Sequence, residues 1–320
     1  VTRFAVQDVH FPKNIPLSGN WGDFESSLLE FQIVLLGEGE VRMARFKLPV
    51  LIVIGILLIG SYGCGKSQEG HADNKQSEGQ ATRAKKEIEY FMGQDGAPMV
   101  KIPAGKFVMG SNDGDPDEKP MHTVYLDAFY IDVYEVTNAR YKKFMDATGH
   151  KAPKYWKDSK FNAPDQPVVG VSWQDAKAYS KWADKRLLTE AEWEKAARGK
   201  LVREDYPWGY KISHDDANYK GTGIKDRWER PAPAGSFLPN GYGLYNVAGN
   251  VYEWCEDWYS KDYYVGASKE NPEGPASGKY RILRGGSWSS LPHALRVSDR
   301  YSAASQEPNI GFRCAKDVTP

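Results

Sequence analysis

Residues 65–88 are built from glycine, serine, lysine, glutamine, glutamate and other small or polar residues, and Ile88 is their only large aliphatic side chain. A stretch of that kind cannot bury enough apolar surface to offset the entropy of ordering it. It divides the chain and reads as a flexible linker over 65–90. Compact structure is therefore expected only after it, over about 95–318, where apolar patterning returns. That part is rich in aromatic residues and glycine. The whole chain has ten Trp, nineteen Tyr and 31 Gly in 320 residues. This composition suggests a loop-rich domain held by aromatic clusters. Lys+Arg and Asp+Glu each number 42, so the formal net charge is zero. A general nucleic-acid binder would carry a basic excess, so no nucleic-acid partner is expected.

Ahead of the linker stands a short basic start, Met43-Ala-Arg-Phe-Lys47. An apolar run follows from Leu48 to Gly60, and then Ser61-Tyr-Gly-Cys64. The pattern predicts a secretory signal peptide over 43–64. Its apolar run is shorter than the roughly 20 residues that a spanning helix needs. Ending in Gly-Cys, it resembles a lipoprotein signal with Cys64 as the lipidated residue, although Ser61 stands where an aliphatic residue is usual. The chain would then be exported to the cell envelope, periplasm or surface, and held at the membrane by its lipid. An uncleaved anchor or an ordinary signal peptide is the alternative. Because a signal belongs at an N-terminus, translation is expected to start at Met43, with residues 1–42 untranslated or disordered. The codons for Gly37-Glu-Gly-Glu40 are purine-rich, as a ribosome-binding site would be.

Within the domain, Met99–Gly110 carries strand and turn chemistry, and His122–Asp132 reads as a strand with Val124, Leu126 and Ala128 on one face. Thr137, Ser172 and Thr189 each precede an apolar pattern of helical spacing. Asp175 stands at the third helical position after Ser172, Glu192 completes a capping box with Thr189, and Gly149 and Gly199 stop two of the helices. Beyond Gly199 come loops, turns and short strands, among them Tyr280–Arg284 and Gly311–Ala315. The fold class is α+β with much irregular structure.

Nine phrases then stand in order. They are Ile102-Pro-Ala-Gly-Lys-Phe-Val-Met-Gly110, Tyr134-Glu-Val-Thr-Asn138, Pro167-Val-Val-Gly-Val-Ser-Trp173, Arg186-Leu-Leu-Thr-Glu-Ala-Glu-Trp-Glu194, Tyr206-Pro-Trp-Gly209, Asn240-Gly-Tyr-Gly-Leu-Tyr-Asn246, Gly249-Asn-Val-Tyr-Glu-Trp254, Leu283-Arg-Gly-Gly-Ser-Trp288 and Gly311-Phe-Arg-Cys-Ala315. Together they resemble the formylglycine-generating enzyme, or sulfatase-modifying factor, family over roughly 97–317. The resemblance implies a variant of the C-type-lectin fold. It also implies two structural calcium sites, one at Asn218, Asp226 and the carbonyls of Tyr219 and Trp228. The other would use Asn246, Glu253 and the carbonyls of Gly249 and Val251. Such hard oxygen donors suit calcium. Alternatively, Asp226 and Glu253 serve the local backbone.

The same resemblance implies an oxidase whose two cysteines follow the Gly-Gly-Ser-aromatic step and hold copper(I). In this sequence Gly285-Gly-Ser-Trp-Ser-Ser-Leu-Pro-His-Ala-Leu-Arg296 contains no cysteine. Ser290 stands at the first cysteine position, and Leu295 or Pro292 at the second. A hydroxyl is a hard, weakly acidic ligand that does not replace a thiolate, so copper is not expected. Ser287 and Asn309 match active-site residues of the family and Tyr252 stands at a usual Trp position, while Ser290, His293 and Arg296 lie in the loop that would line the pocket. Arg296, Arg300 and Arg313 are expected chiefly to brace loops. Cys255 and Cys314 either pair or remain buried thiols; the usual partner of Cys314 is replaced by Ser180. Three functions remain open, one of them a structural accessory protein of the surface or of a secretion machine. Another is an oxidase of other chemistry within the family. The third is a non-catalytic envelope module that binds a peptide, a glycan or a partner protein.

Overall fold

The computed structural model describes the strand segments Arg3–Ala5, Leu28–Gly37 and Glu40–Pro49 and all of residues 90–318. Cys64, the linker as far as residue 89, and the signal from residue 50 onward lie outside the described residues. The chain divides into two compact units, residues 1–82 and 83–320. In the first, β1 (Arg3–Ala5), β2 (Leu28–Gly37) and β3 (Glu40–Pro49) form an antiparallel sheet in that order.

The second unit carries three helices. Thr137 caps α1 (Asn138–Thr148), which ends at Gly149 in the left-handed region with φ 71°. Ser172 and Asp175 box the start of α2 (Trp173–Trp182), and Thr189 and Glu192 box α3 (Glu190–Ala197). Each cap satisfies backbone N–H groups that a helix start leaves free.

Strands supply the frame. β4 (Tyr90–Met92), β5 (Pro98–Ile102), β8 (Phe129–Asp132), β14 (Cys314–Asp317) and β9 (Arg186–Leu187) lie in that order in a five-stranded sheet. A second sheet runs β12 (Tyr301–Ala303), β11 (Arg281–Arg284), β10 (Tyr252–Trp258), β13 (Ile310–Gly311). A hairpin joins β6 (Gly105–Met109) to β7 (His122–Leu126). One core cluster contains Trp193, Leu244, Cys255, Ile282 and Val297; another contains Tyr141, Tyr179, Trp254, Phe312 and Cys314. The chain is thus α+β, with few helices and long irregular connections.

Two strands expected to be continuous are each divided between sheets. His122–Asp132 breaks after Leu126, where Asp127 exchanges bonds of 2.9 Å with the side chain of Asn271 at both its N–H and its carboxylate. Those bonds take Asp127 out of the ladder, and the chain re-enters a different sheet at Phe129. Gly311–Ala315 breaks at Phe312-Arg313. The Phe312 carbonyl accepts from Val136, and the Arg313 side chain turns into the core.

Candidate functional site

The turn after β11 builds the site. Gly285 and Gly286 adopt φ of 92° and 72°, a region that side chains disfavour. A Cβ on Gly286 would stand 2.7 Å from the Ala294 carbonyl and 2.8 Å from Leu295. Glycine here lets the 292–295 turn pack directly on the strand end. Ser287, buried, is the next residue. Its Oγ lies 3.0 Å from Ser290 Oγ and 3.2 Å from Ser289 Oγ, and accepts from Asn309 Nδ2 at 3.3 Å. Asn309 Nδ2 also donates to Ser289 Oγ at 3.0 Å, and the Asn309 carbonyl accepts from the N–H of Tyr252. Burial pushes the Tyr252 phenol up to about 12, with Ser290 beside it. Its ring stacks on exposed Tyr301 at 5.1 Å. Ser287, Ser290, Asn309 and Tyr252 therefore meet in one cluster of neutral hydroxyl and amide groups.

His293 and Arg296 stand apart from it. His293 is exposed on a 3-10 turn, Pro292–Leu295, and its carbonyl accepts from Arg296 Nε at 3.1 Å. Arg296 grips Glu118 with bonds of 2.9 and 2.7 Å. Arg300 grips Glu190 at 2.8 and 2.9 Å, and Arg284 reaches Glu194 and the carbonyls of Val297, Ser298 and Asp299. Three guanidiniums thus fix the loop behind the hydroxyl cluster. Asp115, Glu118 and Asp299 approach closely enough to hold an ion, but Arg296 lies between them, within 3.7 Å of each.

The two described cysteines are free and wholly buried. Burial holds both thiols well above their ordinary pKa. Ser180, buried nearby in α2, turns its hydroxyl to the Lys177 carbonyl instead.

Both oxygen-rich regions named above contain an orphan. Eight buried side-chain polar atoms among the described residues lack a partner, and two of them are Asn218 Oδ1 and Asn246 Oδ1. An unpaired buried oxygen costs free energy unless something else satisfies it, and a cation would. Around Asn218, Asp226 accepts from His214 Nδ1 at 2.9 Å and from the backbone of Tyr219 and Trp228. Its pKa is raised by burial, against the pull of His214. Around Asn246, Glu253 is already held by Arg313 and by Trp193 Nε1 at 2.8 Å.

Two further residues complete this region. Glu135 is buried beside Asn246, and burial, with repulsion from Glu253, pushes its pKa up to about 7 against the pull of Arg313. Asn250 bridges the regions, donating to Glu135 Oε1 at 2.8 Å and accepting from Asn218 Nδ2 at 3.3 Å. Gly249 allows the approach: a Cβ there would lie 2.3 Å from the Asn218 carbonyl. Glu135 and Asn250 both fall inside phrases quoted from the sequence, Tyr134–Asn138 and Gly249–Trp254. Their burial was the missing signal. The donors present are carboxylate, amide and carbonyl oxygens, which fit a hard cation in both regions.

A family model described as the sulfatase-modifying factor enzyme 1-like domain matches residues 84–318. The chain belongs to this family. Formylglycine-generating enzyme of Thermomonospora curvata is 39% identical over 282 residues, covering 68% of this chain and 93% of that protein. A serine/threonine-protein kinase pkn1 of Chlamydia caviae is 40% identical over 241 residues, or 69% of this chain, but the match spans only 38% of that relative's length. Among solved structures, PvdO from Pseudomonas aeruginosa superposes with a TM-score of 0.65 at 31% identity, covering 73% of this chain and all of that one. The sulfatase-modifying-factor fold expected from the nine phrases is the fold found.

Proposed function

We propose that this protein is an exported, lipid-anchored member of the formylglycine-generating enzyme family that does not itself make formylglycine. Its domain instead binds a peptide, a glycan or a partner protein at the envelope. One observation carries the reading. Ser290, where the family places its first copper thiolate, is a hydroxyl in an all-oxygen and amide cluster with Ser287 and Asn309. The thiols that are described, Cys255 and Cys314, are sealed in the core and held protonated by burial. Copper(I) would need soft, ionised sulfur. Calcium belongs to the same proposal as a structural ion. Asn218 and Asp226 would hold one, with the carbonyls of Tyr219 and Trp228. Asn246 and Glu253 would hold the other, with Glu135 and the carbonyls of Gly249 and Val251.

The deciding test is to incubate the reduced protein with copper(I), oxygen and a Cys-x-Pro-x-Arg peptide, and to look for aldehyde by mass spectrometry. No product is expected; turnover would refute the reading. A second reading, a divergent oxidase, is favoured by the convergence of Ser287, Asn309 and Tyr252 on one point. Metal analysis combined with oxygen uptake distinguishes the two: a bound redox metal with oxygen consumption supports the oxidase.

A further inference from the structure

At the opposite end of β11 from the hydroxyl cluster lies a groove of about 850 Å³. Arg281 opens it. The guanidinium is sandwiched between two indoles, 3.7 Å from the Trp173 ring centre and 3.5 Å from that of Trp258. Stacking on both faces fixes its plane and leaves only the edges for hydrogen bonding. One edge is spent on the Glu256 carbonyl. On the other, Nε is buried and has no partner among the described residues.

Arg281 is only partly buried, and the contrast with the fully buried arginines is sharp. Arg284, Arg300 and Arg313 each hold a carboxylate. The two other cations of the groove are paired as well, Lys177 with Glu256 at 2.6 Å and Arg186 with Glu192 at 2.6 Å. Arg281 has no carboxylate within 4.0 Å among the described residues. Burial between the rings depresses its pKa, which neighbouring Glu256 and Asp257 only partly restore.

We infer that this groove binds a peptide carboxylate, which docks side-on against Arg281 between Trp173 and Trp258. A carboxylate is planar and offers two parallel acceptors, which matches a fixed guanidinium edge. The walls favour a peptide over a polyanion. They carry five carboxylates (Asp127, Glu192, Glu256, Glu273, Asp317) against Lys177, Arg186 and Arg281. Such a surface repels phosphate clusters but admits a ligand that presents a single carboxylate to Arg281. The volume falls within the roughly 300–1,000 Å³ of small-ligand sites.

Three peptides test this on the whole chain: tetra-alanine with a free C-terminus, acetyl-Ala-Ala-Asp-Ala-amide, and acetyl-tetra-alanine amide. Calorimetry should show at least one acidic peptide binding tenfold or more tighter than the neutral one. The Arg281 Nε–H resonance should shift with it. Which acidic peptide binds tells whether a chain end or an acidic side chain is recognised. Arg281→Gln, which keeps a planar amide between the rings, should abolish the discrimination. Equal affinity for all three peptides would overturn the inference. So would discrimination that survives Arg281→Gln, or displacement of the acidic peptide by equimolar inorganic phosphate.

Discussion

Arg313 and Glu253 join the two main sheets through a buried ion pair. Arg313 Nε donates to both carboxylate oxygens at 2.9 and 2.8 Å, and Nη2 donates to Oε1 at 2.7 Å. Glu253 lies in β10, whereas Arg313 stands at the point where the chain leaves β13 for β14. The guanidinium also reaches the carbonyls of Asp132, Val133 and Tyr245. Removing the carboxylate would strand a fully buried cation. Glu253→Gln should therefore cost about 3–5 kcal/mol. Urea denaturation would read this as a lower midpoint with an unchanged slope. A loss below about 1 kcal/mol, the value of an exposed pair, would show that the pair is not what ties the sheets.

This pairing changes how calcium is best tested, because a Glu253 variant disturbs the sheets whether or not an ion binds. Asn246 is the cleaner handle. Its Oδ1 has no partner among the described residues, and its φ of 52° suits glycine. An ion bound only by the folded state adds about 2.7 kcal/mol at a hundredfold excess over Kd. Chelation should lower the melting temperature of the wild type, and Asn246→Gly should remove much of that sensitivity. An unchanged melting curve after confirmed metal removal would count against both sites.

The pinned loop predicts a pH dependence. Asp299 is pushed up to about 6 by burial, against the pull of Arg284 and Arg296. In the unfolded chain its pKa returns to 3.8, so between these values the folded state holds a proton that the unfolded state releases. Stability from this group therefore falls as pH rises through that window, and is unaffected below it. At about 1.4 kcal/mol per unit, the effect is on the order of 3 kcal/mol. Asp299→Asn should gain on the wild type as pH is raised from 4 to 6.5. A constant difference across that range would sink the assignment.

Much of this could be read from the chain alone, and the reason is local. Thr137, Ser172 and Thr189 start their helices through bonds spanning three residues, a range within which spacing is informative. The breaks in His122–Asp132 and Gly311–Ala315 were not legible. Asn271, which breaks the first, lies 144 residues from Asp127, and nothing near Leu126 announces it. Glu135 escaped for a similar reason. A glutamate before a helix start looks solvated, and only the fold brings Asn250 to it across 115 residues. The grip of Arg296 on Glu118, 178 residues away, is of the same kind.

Export gives a prediction independent of the fold. If Cys64 is lipidated after a start at Met43, mass spectrometry of the native protein should find no peptide from residues 1–63. Radiolabelled fatty acid should be incorporated, and Cys64→Ser should abolish the label. Detection of a peptide from residues 1–42 would contradict the proposed start.

The last prediction concerns restoring the missing thiolates. Ser290→Cys would place one sulfur beside Ser287 and Asn309, but a single thiolate does not make a two-thiolate copper(I) site. The second family position falls at Leu295, which is fully buried and packs with Tyr206, Ala217, Tyr219 and Ala248. A cysteine there would sit in an apolar core, where burial raises a thiol's pKa and keeps it protonated. It would also leave a cavity, at a cost on the order of 2–4 kcal/mol by analogy with other large-to-small core changes. Neither Ser290→Cys nor the Ser290→Cys/Leu295→Cys pair should then bind copper(I) in competition with a chromogenic chelator, nor yield aldehyde from a Cys-x-Pro-x-Arg peptide. Pro292 lies only partly buried on the 3-10 turn, so Ser290→Cys/Pro292→Cys is the informative third variant. If the Leu295 pair bound one copper(I) per chain and the Pro292 pair did not, the loop would have to repack to turn residue 295 outward. The fixing of that loop by Arg284, Arg296 and Arg300 would then not hold.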